Sequence, residues 1–543
     1  MKKTTFTHCL VFKLCLFVFL CSHTRFVCAQ EDVTITNPLL YADVPDPDVI
    51  CVGKDYYMVS TTAHMSPGAP IMHSRDMKHW QIISYVFDAL HESNANDLED
   101  GNIYSRGQWA ASLRYHKGMF YVFFGTGVHS YIYKTKNPAG KWDMVSKFER
   151  YYHDASMLFD SDGKVYLVHC LNAVLYVKQF TADFQDFVDS DGNGTQIIAL
   201  NDGFLHEGVH AYKIDGKYYM TTIWWPGGGD RTELCFRSDN LTGPYEQRTI
   251  LSDDLGFTHH GVAQGGIWKA ANKQWYAMLF QDHEGVGRIP CLLPCTWVDG
   301  WPMMGDEGVP LEEVTVNLPA SGRDYVWDSD EFDGTSLALV WQWNHKAPEG
   351  WSLTERPGWL RLKAAPATGM ADARGTLTQR TVGPRCVSET LLDTSGMLPG
   401  DEAGLCAFQS RNARIGVRVS PEGERQLVLH EHHRDSVGVN KEGRTVFEDR
   451  DSDIAVLPMA GDRVWLRIRY VFTPQEAGEA EDTAFFSYSF DGAAWTEFPY
   501  ALEMKYTLDY FTGYRSALYN FATVPSGPSG GFADFDYFHQ RVE

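Results

Sequence analysis

In five stretches of this chain a polar turn signal gives way directly to a short run of apolar and aromatic positions, the pattern of a strand entered from a turn. They are "GKDYYMVS" from Gly53, "KGMFYVFF" from Lys117, "DGKVYLVH" from Asp162, "DGKYYMTT" from Asp215 and "NKQWYAML" from Asn272. Aligned on Tyr57, Tyr121, Tyr166, Tyr219 and Tyr276, the copies lie 64, 45, 53 and 57 residues apart, which suits blades of four short strands. Three copies are followed by a polar turn closing on an aromatic, "HSRDMKHW", "YKTKNPAGKW" and "FRSDNLTGPY", the outer hairpin of such a blade. With no amphipathic helix between the strands, the pattern predicts a five-bladed β-propeller over residues 30–325. A β-sandwich is the competing architecture for this part, though sandwiches rarely repeat at such a period.

Around "PASGRDYVWDSDEFDGTSL" the pattern changes to short alternating strands such as "RQLVLHEH", "RVWLRIRYVF" and "GGFADFDYFHQRV". They predict an antiparallel β-sandwich over 326–543. Two domains also suit a chain of 543 residues.

Residues 1–29 read as a secretory signal: Lys2 and Lys3, an apolar run interrupted by Lys13, then Val27-Cys28-Ala29 before Gln30. Such a signal sends the protein to the periplasm or the exterior with no membrane span in the mature chain; lipid attachment at Cys21 or Cys28 is the alternative. The signal holds four of the eleven cysteines. Among the rest, Cys291 and Cys295 read as ordinary buried residues, too far apart on a strand to bridge. A formal net charge of -23 argues against nucleic acid and anionic membrane surfaces.

Candidate chemistry appears at the innermost strands. Twelve residues before Tyr121, Tyr166, Tyr219 and Tyr276 stand Trp109, Asp154, Glu207 and Gln264, and eleven before Tyr57 stands Asp46. Equivalent positions of successive blades face one axis, so three acids from blades 1, 3 and 4 converge, with Trp109 and Gln264 completing the ring. Carboxylates crowded in a desolvated site push pKa values upward, so that one stays protonated while another ionises. A separated acid and base is the arrangement of inverting glycoside hydrolysis; the same acids could instead hold a cation.

The segments "ADVPDPDVICVGKDYYMVST", "WAASLRYHKGMFYVFF", "HDASMLFDSDGKVYLVH", "HEGVHAYKIDGKYYMTT" and "LFQDHEGVGRIP" resemble glycoside hydrolase family 43, and "WQWNH", "ERPGWLRL" and "GGFADFDYF" extend the resemblance to the accessory sandwich of its xylosidase and arabinofuranosidase members. The resemblance implies Asp46 as general base, with Asp48 a neighbouring competitor that reads as a turn residue. It implies Asp154 as the acid that tunes its partner and orients the sugar, and Glu207 as general acid. It matches Arg288 to the terminal-sugar subsite, and offers Trp109, Trp224 and Trp225 as sugar-stacking faces.

The family places a histidine near the axis, often beside calcium or water. Here His259 and His260 are the candidates, but Ala263 stands where that histidine is sought. A structural Ca2+ at the propeller centre is therefore an open expectation, and no cofactor is required. "DSDGNG" from Asp189 mimics a calcium loop but has Leu200 at the twelfth position, where Glu is needed, and reads as a turn.

The implied activity is exo-acting release of a terminal pentose from plant cell-wall glycans, α-L-arabinofuranose ahead of β-D-xylose. The other readings are a glycan-binding propeller without turnover and a retaining fructan-type hydrolase. "MKYTLDYFTGYRSALYNFA" is the sandwich segment expected to approach the site with an aromatic.

Overall fold

The computed structural model describes residues 32–543 except 190–191, 201–202, 227–228, 258–259, 442–444, 460, 476–478 and 524–529. The predicted signal, with Cys21 and Cys28, lies outside the described residues, as does His259. Asp32–Glu543 forms one compact unit. Among the described residues the only helical segments are two short 3-10 turns, Asn94–Asp97 and Glu284–Val286, and no helix is long and apolar enough to cross a membrane.

Residues 48–304 build five four-stranded antiparallel sheets, four of them from strands consecutive in sequence and the first interrupted by the short strand Met65–Ser66, which pairs elsewhere. Their innermost strands are Asp48–Val52, Ala111–His116, His153–Phe159, Leu205–Ile214 and Ala263–Lys269. These touch in a closed cycle, first to second and onward, with the fifth returning to the first. Turn chemistry sets the hairpins. Lys117-Gly118 and Asp215-Gly216 both take positive φ at both residues, the two-residue turn whose hand matches strand twist.

One apolar layer separates each pair of neighbouring blades. Phe123, Met157 and Leu167 fill the layer between blades 2 and 3, and Tyr219, Ile267 and Leu279 fill that between 4 and 5. The ring is held shut by Asp32–Thr36 pairing antiparallel with Glu313–Pro319. Their alternating burial, every second residue inward, is the period-two pattern of half-buried strands.

The carboxy-terminal part is a two-sheet sandwich. One sheet has seven strands and the other nine, and Leu405, Ile415, Leu427, Leu466, Ile468 and Phe538 belong to the core between them. The ninth strand of the larger sheet comes from the propeller: Met65–Ser66 pairs with Trp343 and Asn344. Val286 and Ile289 of blade 5 are members of the sandwich core. The two parts therefore share both a sheet and a core. The seven cysteines among the described residues are free, Cys291 and Cys295 buried.

Candidate active site

Strand pairing shows that the predicted ring is two adjacent levels. Tyr166 faces Leu158 and Tyr276 faces Trp268, eight residues back, whereas Tyr57, Tyr121 and Tyr219 face Ile50, Arg114 and Tyr212, seven back. Three hairpins are thus one residue tighter, and a fixed count mixes levels. Pro45, Trp109, His153, Glu207 and Ala263 each meet the residue four beyond their repeat tyrosine. Asp46, Ala110, Asp154, Gly208 and Gln264 follow them, one step deeper along the axis.

The deeper level is kinked. Asp46, Asp154 and Gln264 take φ of 51, 41 and 62°, and pairing shifts register around the last two. Left-handed backbone at a non-glycine costs on the order of 1 kcal/mol and persists where surroundings enforce it. In blade 4 the position is Gly208, φ 68°, where a Cβ would also approach Gln264 Cγ to 2.7 Å. The glycine of "HEGVH" lets that chain pass, and its N–H donates to Asp154 Oδ2 at 3.1 Å.

Asp46 and Asp154 are 6% and 9% exposed. Burial raises the pKa of Asp46, and the Asp154 charge adds to this; Arg288, 3.0 Å from Oδ1, and the Thr61 hydroxyl on Oδ2 oppose it. Burial likewise raises Asp154, with Glu207 adding to the rise and His153 and the Gly208 N–H countering it. Glu207 Oε2 lies 3.0 Å from His153 Nε2. Asp48 is the first residue of a strand and not of a turn. Burial would raise its pKa, but Arg114 at 2.6 Å, His210 and the Leu113 N–H together lower it. Locked in this way, it lies outside the pocket.

The three acids open into a cavity of about 290 Å³, which Trp109, Arg231, Phe280, Asp282 and Arg288 also line. The sandwich supplies part of its wall through Tyr506, Leu508 and Phe511, from the segment expected to approach the site. The family model for glycosyl hydrolases family 43 matches residues 35–302, and the β-xylosidase C-terminal concanavalin A-like domain matches 329–541. The chain belongs to glycosyl hydrolase family 43. A β-xylosidase of Formosa agariphila is 29% identical over 94% of this chain and 90% of its own. A non-reducing end α-L-arabinofuranosidase of Bacteroides ovatus is 33% identical over 61% of this chain and 65% of its own. The solved structure of a bifunctional GH43-CE protein of Bacteroides eggerthii superposes with a TM-score of 0.83 at 36% identity, covering 94% of this chain and 64% of that longer one.

For this family 43 chain, Trp109, Gln264 and Arg288 line the pocket with the acids. The Arg288 guanidinium lies over Phe511 at 4.2 Å and over Phe280 at 5.2 Å, and its buried Nε and Nη2 have no hydrogen-bond partner in the protein. Those donors are available to sugar hydroxyls. Trp224 does not reach the pocket. It packs against the blade 3–4 layer and Phe204, while Trp225, on the opposite strand face, lines the mouth at 42% exposure.

His260 is also displaced from the axis, its Nε2 3.4 Å from Glu284 and its carbonyl accepting from Gln281. The described histidine on the axial channel is His210, beside Ser112, Gly208 and Gln264. Among the described residues the carboxylates lining that channel are Asp46 and Asp154, engaged as above. At "DSDGNG", Ser190 and Asp191 lie outside the described residues, and Arg150 and Lys178 both donate to the Gly192 carbonyl. His153, Asp154 and Glu207 are the one trio of potential metal donors among the described residues, within 4.8 Å of one another. Within that trio, His153 Nε2 and Glu207 Oε2 are joined by their hydrogen bond.

Two supports were missed in the sequence. Asp43 accepts from the Arg288 N–H at 2.9 Å and the Gly513 N–H at 3.0 Å, tying the arginine strand to the sandwich. Glu233, fully buried, accepts from the Gln264 N–H at 2.9 Å. Burial pushes its carboxyl up to about 8, only partly offset by Gln264 and Thr221. Between its ordinary value of 4.5 and about 8, the unfolded chain ionises while the folded one holds the proton, so stability falls as pH rises through this window. Glu233→Gln keeps an acceptor and removes the titration. Its gain in melting temperature over wild type is expected to grow from pH 4.5 to 8, and parallel curves would refute the assignment.

Proposed function

We propose that this chain is an exo-acting, inverting pentosidase that removes one terminal sugar from a hemicellulose-type glycan, with Asp46 activating water and Glu207 protonating the leaving oxygen. The observation that carries this is the pocket. Asp46 and Glu207 share a space at the small end of ligand cavities, and the sandwich residues Tyr506, Leu508 and Phe511 wall it off. A chain running through in both directions has no room there, so a chain end is favoured.

The residues alone favoured arabinofuranose. The relatives matched over nearly the whole of both chains include several called β-xylosidases, and the arabinofuranosidase match is partial. We therefore put β-D-xylose first and α-L-arabinofuranose second. The amino-terminal segment suits export to where such glycans are met. Initial rates on aryl β-D-xyloside and aryl α-L-arabinofuranoside decide the sugar, and proton NMR of the first-released anomer decides stereochemistry. Monosaccharide as the sole early product from oligosaccharides, with inverted configuration, is expected. Retention, or release of longer fragments, would overturn the reading.

A further inference from the structure

His153 occupies in blade 3 the level that Glu207 occupies in blade 4. It lines the pocket, with its side chain about a quarter exposed. Its Nε2 is 3.0 Å from Glu207 Oε2 and 3.6 Å from Asp154 Oδ2, and its Nδ1 is hydrogen-bonded to the Tyr151 hydroxyl. Trp109 meets the ring edge-on at 5.9 Å. Both ring nitrogens are thus engaged and the ring is held upright between two acids.

We propose that His153 and Glu207 work as one proton-holding couple, in which His153 is the positioning residue that supports and reloads the acid. The proposal rests on the assignment of Glu207 as general acid. Bonding at Oε2 leaves Oε1 for the leaving oxygen. As the glycosidic C–O bond breaks, the couple's one proton passes from His153 Nε2 to the Glu207 carboxylate and from that carboxyl to the leaving oxygen, which leaves neutral His153 beside the Glu207 carboxylate. His153 then regains a proton from water at the mouth. Asp46 takes a proton from the attacking water and returns it to solvent, so one proton enters and one leaves per turnover.

Groups facing His153 support its charge. Asp154 adjoins it, Glu207 approaches from blade 4, Asp46 with its partner Arg288 from blades 1 and 5, Cys170 lies across the hairpin and Tyr151 precedes it. Burial alone would lower its pKa, but the acids, Asp154 first, outweigh burial and hold it at about 9. His153 then keeps its proton through neutral pH and loses it as pH rises through about 9.

The test uses His153→Gln, which retains a donor but cannot carry the proton, and His153→Asn as a second variant, with thermal melts to establish folding. For methyl or saccharide leaving groups, kcat/KM is expected to fall by about 100-fold, the scale of general acid catalysis, and the alkaline limb of the pH profile to move to lower pH. For a 2,4-dinitrophenyl leaving group, which departs without protonation, the rate is expected to change little. An unmoved limb, or equal losses on both kinds of leaving group, would overturn the couple. Glu207→Ala separates the two failures. If it discriminates between leaving groups while the His153 variants do not, only the couple falls; if it does not discriminate, the assignment of Glu207 falls with it.

Discussion

Asp46→Asn is expected to lower kcat/KM by about 10³- to 10⁴-fold on every leaving group, about 4–5.5 kcal/mol of barrier. An amide has no basic oxygen to take the water proton, yet it fills the same space and can still meet Thr61. Glu207→Gln should differ in kind, with its loss growing as the leaving group worsens, because only poor leaving groups need a proton. Added azide should partly restore Asp46→Asn, since a nucleophile that needs no deprotonation fits where water attacks. A loss under tenfold for Asp46→Asn, measured as initial rates, would remove it as the base.

The acid limb follows from the same geometry. A base must be ionised, so activity is lost as pH falls through the Asp46 pKa, which burial and the Asp154 charge raise. Asp154→Asn removes a like charge and should move that limb to lower pH. A limb that stays put would mean that Asp154 acts on the sugar or on Glu207 alone.

The propeller and its three acids were legible because their signals are local: a turn, an aromatic strand and a residue at its head, repeated. What the repeat hid is one residue of hairpin length. The Asp215-Gly216 turn is tighter than its blade 3 and blade 5 counterparts, so a count of twelve lands on Glu207 in one blade and a level deeper in others. The same parity decides Trp225 over Trp224, since the bulge after Glu207 places Trp225 opposite Leu205 at the rim. Neither is readable without knowing where pairing slips.

Asp43 was unreadable for another reason. Its Gly513 partner is 470 residues away, and nothing in "YADVP" marks a carboxylate that will bridge two domains. His153 heads "HDAS" without a role legible there, because its meaning depends on a neighbour from the next blade. For the sandwich, the segment facing the pocket was legible as a stretch, while the positions that reach it, Tyr506, Leu508 and Phe511, emerge only from the packing.

Deleting the sandwich, residues 326–543, is expected to abolish activity and leave the propeller aggregation-prone. Met65–Ser66 would lose its strand partner, and Val286 and Ile289 would lose the core they belong to. Exposing two such fully buried side chains costs about 1.5–3 kcal/mol each. Tyr104, stacked on Tyr510 at 3.8 Å, would be bared as well. The Arg288 strand loses most. Tyr514 donates to the Gly285 carbonyl, the Gly285 N–H donates to Asp482, and Asp43 bridges Arg288 to Gly513. Without these contacts the guanidinium that pairs Asp46 loses its fixed position.

Phe511→Ala isolates the local part of that effect. It spares the shared sheet but opens the pocket wall and uncovers the arginine, and a cation over an aromatic face is worth about 0.5–2 kcal/mol. A loss of about 2- to 30-fold in kcat/KM, by the conversion of 1.36 kcal/mol per decade, with a near-normal melting temperature, is therefore expected. An isolated propeller that stayed soluble and turned over substrate near the full-length rate would show that the sandwich is ancillary, and would return the pocket wall to blade residues alone.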